Sequence, residues 1–420
     1  MGVPAGFLRD ARGRLLPASI PFRFFGAATV FHLLAWAALV PGALATPGFA
    51  GGLGLPLAAL HLVTLGVLAM TALGASLQLL PVATRQPVAS PRAAAALGWV
   101  YLAGVAATTL GMALAAPALL AAGAAATVGA LAAYAALLAR NLRGARGVPV
   151  VTAHGWAAWV SLGLALASAL ALAAAWLGHP VLARPAAVGL HIAFAAYGFM
   201  GLLVLGFSHI LVPMFALSDA PPRGPSLASA GAAIAALALS ALGSLGIAEA
   251  WLAPLAPAVG LLALGSHVVL MERARASGMR PRLGRSFVLV RVGWAGLGAS
   301  LAVALAMALG LGVPRAPALF GALLAGGLLS LLLGMLSRIV PFLAAMHSTP
   351  GRRGPPLPSA LTAERPLKLH FGCHLGAFAL LLAAIALDSA ALVAAAGAVG
   401  TVGAAAFGAF FAVACHKMRR

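Results

Sequence analysis

Negative charge is almost missing from this chain: six Asp and Glu stand among 420 residues, against 26 Lys and Arg. The six are Asp10, Asp219, Glu249, Glu272, Glu364 and Asp388, and every one falls at the end of an apolar run or between two runs. Proton- or sodium-coupled carriers usually hold a carboxylate near mid-membrane, and no acid is placed to do so here. Cysteine is equally scarce. Cys373 and Cys415 both lie near cytoplasmic ends of runs, so no disulfide framework is implied. Ten-residue alternating strands are absent too, which excludes an outer-membrane barrel. The basic amino-terminal stretch passes straight into a full-length apolar segment, so no cleaved signal peptide is expected.

What remains is apolar. With 63% hydrophobic residues, 8% charged residues and a mean hydropathy of +1.06, the composition is that of an all-α, multi-pass membrane protein. Runs long enough to cross ~30 Å of hydrocarbon occur twelve times, at about 22–41, 54–82, 95–115, 118–140, 154–177, 185–215, 226–247, 250–270, 286–311, 316–345, 368–387 and 390–415. The net charge of +20 is distributed by side rather than by patch. Arg9, Arg12, Arg14, Arg85, Arg92, Arg140, Arg143, Arg146, Arg223, the run from Arg273 to Arg285, Arg352, Arg353, Arg365, Lys368, Lys417, Arg419 and Arg420 all fall before span one or after an even-numbered span. The alternate loops hold little beyond Arg184 and Arg315. This positive-inside pattern predicts a bacterial-type inner-membrane protein with both termini cytoplasmic, and it speaks against nucleic acid as a partner.

A repeat gives the expected organisation. Gly74-Ala-Ser-Leu-Gln-Leu-Leu-Pro81, Gly206-Phe-Ser-His-Ile-Leu-Val-Pro213 and Gly334-Met-Leu-Ser-Arg-Ile-Val-Pro341 each close an even-numbered span ahead of a basic loop. The glycines are 132 and then 128 residues apart, four spans each time. Glycine permits close helix approach and proline stops a helix near its exit. The prediction is one integral domain of three four-helix units (about 20–140, 150–270 and 285–415), related by a pseudo-threefold axis along the membrane normal.

Eleven histidines stand in this apolar chain, and a polar ring buried in hydrocarbon is costly without a partner. His61 and His191 open the second helices of units one and two, ~20 Å outward from the motif glycines at ~1.5 Å per residue. Neutral imidazole is a favoured ligand of haem iron and copper, and no carboxylate competes at that depth. His61 and His191 are the primary metal or haem candidates, with His32 expected to reach the same layer. A second, cytoplasmic-side layer is expected to gather Gln78, His209, Ser337, Arg338, His347, His370 and His374. Within it His370 and His374, spaced i and i+4, share a helix face. His154, His179, His267 and His416 sit at helix ends or in loops and carry no functional expectation.

The three-by-four architecture with outer-face histidines resembles the haem–copper oxidase subunit I superfamily. The stretches Phe22-Arg23-Phe24-Phe25, His61-Leu-Val-Thr-Leu-Gly66, Gly74 to Pro81 and Thr84-Arg85 are similar to the NnrS-type haem- and copper-containing membrane proteins of nitric oxide stress. The resemblance implies haem of b type, possible copper, a redox partner or a homo-oligomer, and outer-loop Arg184 and Arg315 as partners of haem propionates. Departures are plain. Span seven holds no histidine, span ten holds none before His347, and Leu62 rather than glutamate follows His61. The binuclear centre of the oxidases is therefore not expected. Whether such a protein is an enzyme stays open, as do a cofactor-free transporter and an assembly subunit of a respiratory complex.

Overall fold

In a computed structural model, residues 16–147, 149–348 and 356–419 are described. Arg9, Asp10, Arg12, Arg14, Arg352, Arg353 and Arg420 lie outside them. Among the described residues no strand occurs, and twelve helices are long and apolar enough to cross a membrane. They are α1 (Ser19–Ala38), α2 (Leu55–Thr84), α3 (Pro91–Ala113), α4 (Pro117–Arg143), α5 (Pro149–Trp176), α6 (Arg184–Ala216), α7 (Arg223–Ser244), α8 (Glu249–Ser277), α9 (Gly284–Ala308), α10 (Ala316–His347), α11 (Glu364–Leu387) and α12 (Ala390–Met418). The protein is an all-α, multi-pass membrane protein, and its immediate partner is the lipid bilayer.

The helices start and stop for local reasons. Proline stands in the first turn of α2, α3, α4, α6 and α10, where its missing N–H costs nothing. Ser90 and Ser389 cap α3 and α12 by accepting from the amides of Ala93 and Leu392. The motif prolines do not end their helices as expected. Pro81, Pro213 and Pro341 all lie inside, because neighbouring helices hold the chain helical past them. α2 and α6 stop four residues later on the left-handed residues Arg85 (φ 57) and Leu217 (φ 54), whereas α10 continues to His347.

Consecutive helices touch all round the bundle, and α12 closes the ring against α1. α2, α6 and α10 lie inside, with 67%, 72% and 67% of their apolar central stretch buried, against 28–44% for every other helix except α1. Each motif glycine marks a tight crossing. A Cβ on Gly74 would meet Phe24 of α1 at 2.7 Å, on Gly206 it would meet His154 of α5 at 2.7 Å, and on Gly334 the Ser286 carbonyl of α9 at 2.5 Å. Phe24, His154 and Ser286 are themselves 130 and 132 residues apart. The exits of α2 and α6 are sealed alike: the Thr84 carbonyl accepts from the Arg146 amide, and that of Ala216 from the Arg280 amide, both at 2.8 Å.

α2 and α6 share one further irregularity. Directly after His61, residues Leu62–Ala69 are π-helical, and directly after His191 and Ile192 so are Ala193–Gly201. α10 has no such segment. π-helix widens the turn and loosens the backbone ladder, so it is rare and concentrates at functional sites.

Candidate cofactor site

A cavity of about 870 Å³ opens among α2, α6 and α10, toward the end of the bundle away from both chain ends. Its walls are mostly aliphatic and aromatic, with Val63, Leu65, Phe199, Leu328 and Phe378 among them, and the loop from Thr46 to Gly52 contributes at the mouth. His61 and His191 both project into it. Their ring centroids are 6.3 Å apart, and the ring planes are within 15° of parallel.

Each imidazole is anchored through the same atom. His61 Nδ1 lies 3.0 Å from the Leu57 carbonyl one turn back, so Nδ1–H donates and Nε2 carries the lone pair. His191 Nδ1 lies 3.4 Å from the Ala165 carbonyl and 3.5 Å from Ser168 Oγ on α5. Ser168 gives its own proton to backbone carbonyls, so its oxygen can only accept. In both residues Nε2 is left without a hydrogen-bond partner among the described residues. An anchored Nδ1–H with a free Nε2 is the arrangement that ligating histidines usually show.

The π-helical segments help to set this pair. Within Leu62–Ala69 the Leu65 carbonyl accepts from the hydroxyl of Tyr101, at 3.0 Å, on α3. Gly66 lets Phe31 of α1 lie against the π turn, and Gly198 does the same for Ser161 of α5. Neither side chain leaves room for a Cβ, since both contacts would be 2.6 Å.

No family model matches this chain, and no curated protein matches it. The site's chemistry therefore has to be read from its own atoms.

Of the two outer arginines, only Arg184 belongs to the cavity. Its guanidinium stacks 4.7 Å above the ring of Trp176, at the mouth. Arg315 does not line the cavity; it is held 2.6 Å from Asp388, an ion pair between the loops that flank α10 and α11. The carboxylate it found is one that local sequence could not place beside it.

His32 does not join His61 and His191. It lies on the face of α1 that meets α11 and α12, with its ring 5.9 Å from His370 and 6.3 Å from Phe407. The expected cytoplasmic-side layer also separates into distinct groups. Gln78 accepts from the Leu16 amide and lies 3.3 Å from His347. Arg338 donates to Ser286 Oγ and the Leu283 carbonyl, tying α10 to the start of α9. His370 and His374 face His32. His209 packs instead between His154 (5.6 Å) and His267 (5.3 Å), with Trp294 6.3 Å beyond His267.

His154 and His267 correct the reading that put them at helix ends. Both are buried within α5 and α8, which run longer than a bilayer needs, so a residue near the edge of the apolar run is still interior. The Gly–Pro motif held a signal for His154, which lies against Gly206 as Phe24 lies against Gly74. Among the described residues, no group of three or more His, Cys, Asp or Glu gathers in a way that could hold a metal ion. The cavity histidines are a pair.

Proposed function

We propose that this protein is an integral-membrane haem-binding protein that holds one haem in the central cavity through His61 and His191. The observation that carries the reading is the pair itself: near-parallel imidazoles 6.3 Å apart, each pinned at Nδ1 and free at Nε2. With metal–nitrogen bonds of ~2.0–2.1 Å, rings whose centroids are 6.3 Å apart would be within reach of one shared ion. A bare ion would need little space, whereas about 870 Å³ of mostly apolar volume suits a large, flat, greasy cofactor. Among the described residues Arg184 is the one cation lining the cavity, and it would pair with a propionate there.

The haem iron supplies one-electron redox and gas-binding chemistry. The residues of this chain do the rest. The Leu57 and Ala165 carbonyls hold the ligand tautomers, the aliphatic walls exclude water, and the Tyr101 hydroxyl stabilises the π turn beside His61. Held by both His61 and His191, the group would supply electron transfer rather than binding of a substrate at the metal.

The same reading places the protein in a haem–copper oxidase-like superfamily, nearest the NnrS-type proteins, with a role in nitric oxide or redox metabolism. Three four-helix units account for the 130-residue spacing of the crossings at Gly74, Gly206 and Gly334 and for the matching seals of α2 and α6. The charge pattern supports an inner-membrane location with both chain ends cytoplasmic, which puts the cavity toward the outer side.

Purification in mild detergent from haem-replete cells is the test. A Soret band is expected that is largely lost in both His61→Ala and His191→Ala. A colourless, haem-free wild-type preparation, or a band unchanged in the two variants, overturns the reading.

A further inference from the structure

At the end of the bundle that carries both chain ends, α6, α9 and α10 meet around one guanidinium. Arg338 of α10 stands four residues after Gly334, whose Cβ would strike the Ser286 carbonyl at 2.5 Å. That close crossing brings the first turn of α9 against Arg338. Its Nε–H donates to Ser286 Oγ at 2.6 Å, and its Nη2 donates to the Leu283 carbonyl. Phe215, in the last turn of α6, lies beneath the guanidinium with its ring centre 5.5 Å away.

A guanidinium offers N–H donors along two usable edges. The side edge of Arg338, Nε with one hydrogen of Nη2, is spent on Ser286 and Leu283. The end edge, Nη1 with the other hydrogen of Nη2, makes no hydrogen bond among the described residues. Two bonds to α9 and the ring of Phe215 fix the plane of this unused fork.

The charge of Arg338 is unanswered as well. Among the described residues this partly buried side chain forms no ion pair. Glu272 of α8 is taken by Arg275 at 2.8 Å and by Arg291 at 2.7 Å. Asp219, in the loop after α6, is exposed and pairs with neither Arg338 nor Arg280. A second cation stands by instead. The Arg280 amide donates to the Ala216 carbonyl at 2.8 Å, which fixes this residue beside the end of α6, and its charge is close enough to act on Arg338. The α8–α9 loop, residues 278–283, holds Arg280 and Arg282 and no acid. Neighbouring like charges, one of them partly buried, are unfavourable until an anion joins them.

We propose that Arg338 and Arg280 bind a phosphate group between them, at a site separate from the cavity. The donor geometry selects the class of anion. The free fork of Arg338 matches two oxygens carried on one atom, which carboxylates and phosphates both present. A carboxylate would spend both its oxygens on that fork, whereas a tetrahedral phosphate keeps others for Arg280. The surroundings favour a phospholipid as the source. Met279, 63% exposed beside Arg280, and Val288, 40% exposed on α9, set aliphatic surface next to the charges. Basic pockets between membrane helices take anionic headgroups in this way.

The test is binding to the full-length protein, purified in detergent and stripped of lipid. Phosphatidylglycerol is titrated with zwitterionic phosphatidylcholine as its control, and inorganic phosphate with chloride as its control. Native mass spectrometry counts bound lipid, and the melting temperature reads both probes. Phosphatidylglycerol should give a discrete adduct and a rise in melting temperature that added salt weakens. A response to phosphatidylglycerol alone assigns the site to lipid, and one to inorganic phosphate assigns it to a soluble ligand. Arg338→Gln and Arg280→Gln should each weaken binding about tenfold or more. Arg338→Lys, which keeps the charge and loses the fork, should bind less tightly than wild type, and Arg315→Gln, at the other end of the bundle, should match it. Arg280 is exposed and its side chain makes no hydrogen bond among the described residues, so its variant probes the site without disturbing the fold. Wild type that answers to neither probe, or takes phosphatidylcholine equally well, overturns the proposal. So does unchanged binding in either glutamine variant at position 338 or 280.

Discussion

The imidazoles of His61 and His191 lie nearly parallel, 6.3 Å apart, although 130 positions separate them in the chain. Each stands at the junction where regular α-helix gives way to π-helix. The two rings are thus pinned through the same atom and mounted alike on separate helices.

If both rings hold one haem, the loss in His61→Ala or His191→Ala should be repairable. Removing a ring widens a cavity that already has room for a small molecule. Added imidazole is expected to restore a large part of the Soret absorbance in either single variant and much less of it in the double variant. Rescue of the double variant as complete as that of the singles would show that neither residue holds the cofactor.

Arg184 and Arg315, both in outer loops, should behave differently. Arg184→Gln removes the cation at the cavity mouth and is expected to weaken haem retention during detergent washing several-fold. Arg315→Gln breaks only a partly exposed ion pair with Asp388 and should leave retention unchanged, with a stability loss below about 1 kcal/mol. Equal effects of the two substitutions on haem retention would remove Arg184 from the site.

Tyr101→Phe removes the side-chain donor to the Leu65 carbonyl, which keeps its backbone bond at the end of the π turn. Tyr101 is fully buried, and the expected cost is that of one net hydrogen bond, about 0.5–1.5 kcal/mol, read as a lower melting temperature in detergent. A shift in the haem spectrum should accompany it, because His61 stands one turn from that carbonyl. Loss of stability with an unaltered spectrum would confine Tyr101 to packing.

Small residues set how closely the helices approach. A Cβ on Gly123 of α4 would meet the Thr108 amide nitrogen of α3 at 2.3 Å, so Gly123→Ala must push two backbones apart. The expected cost is about 1–3 kcal/mol. Gly129, further along the same helix, has nothing within 4 Å of such a Cβ, and Gly129→Ala should be neutral or gain up to about 1 kcal/mol. Thermal unfolding of the two variants in the same detergent checks the contrast.

Much of the fold was legible because hydropathy is a local property. A segment that must satisfy its own backbone in lipid can only be a helix, so twelve apolar runs gave twelve helices with ends displaced by a few residues. The close crossings were legible for a related reason, since Gly74, Gly206 and Gly334 are points where a neighbouring helix leaves no room for a Cβ. His61 and His191 were found together because each lies 13 or 15 positions before the glycine of a Gly–Pro motif, at Gly74 and Gly206.

The groupings of the other polar residues were not legible. His32 lies at a depth consistent with the His61 layer, but depth along a helix says nothing about which side of the helix it occupies. Its side of α1 faces α11, which puts it with His370 and His374. His209 went to His154 and His267 by the same logic, and Arg315 to Asp388.

The sequence by itself determined the class of the protein, the number of apolar spans and the two rings that share a cavity, because each follows from composition or from a spacing along the chain. Tertiary structure decided which ring nitrogens are occupied and which are left bare, where the π turns fall, and which arginine meets the cavity. Those depend on helix rotation and on contacts between residues a hundred or more positions apart, and no local pattern encodes them.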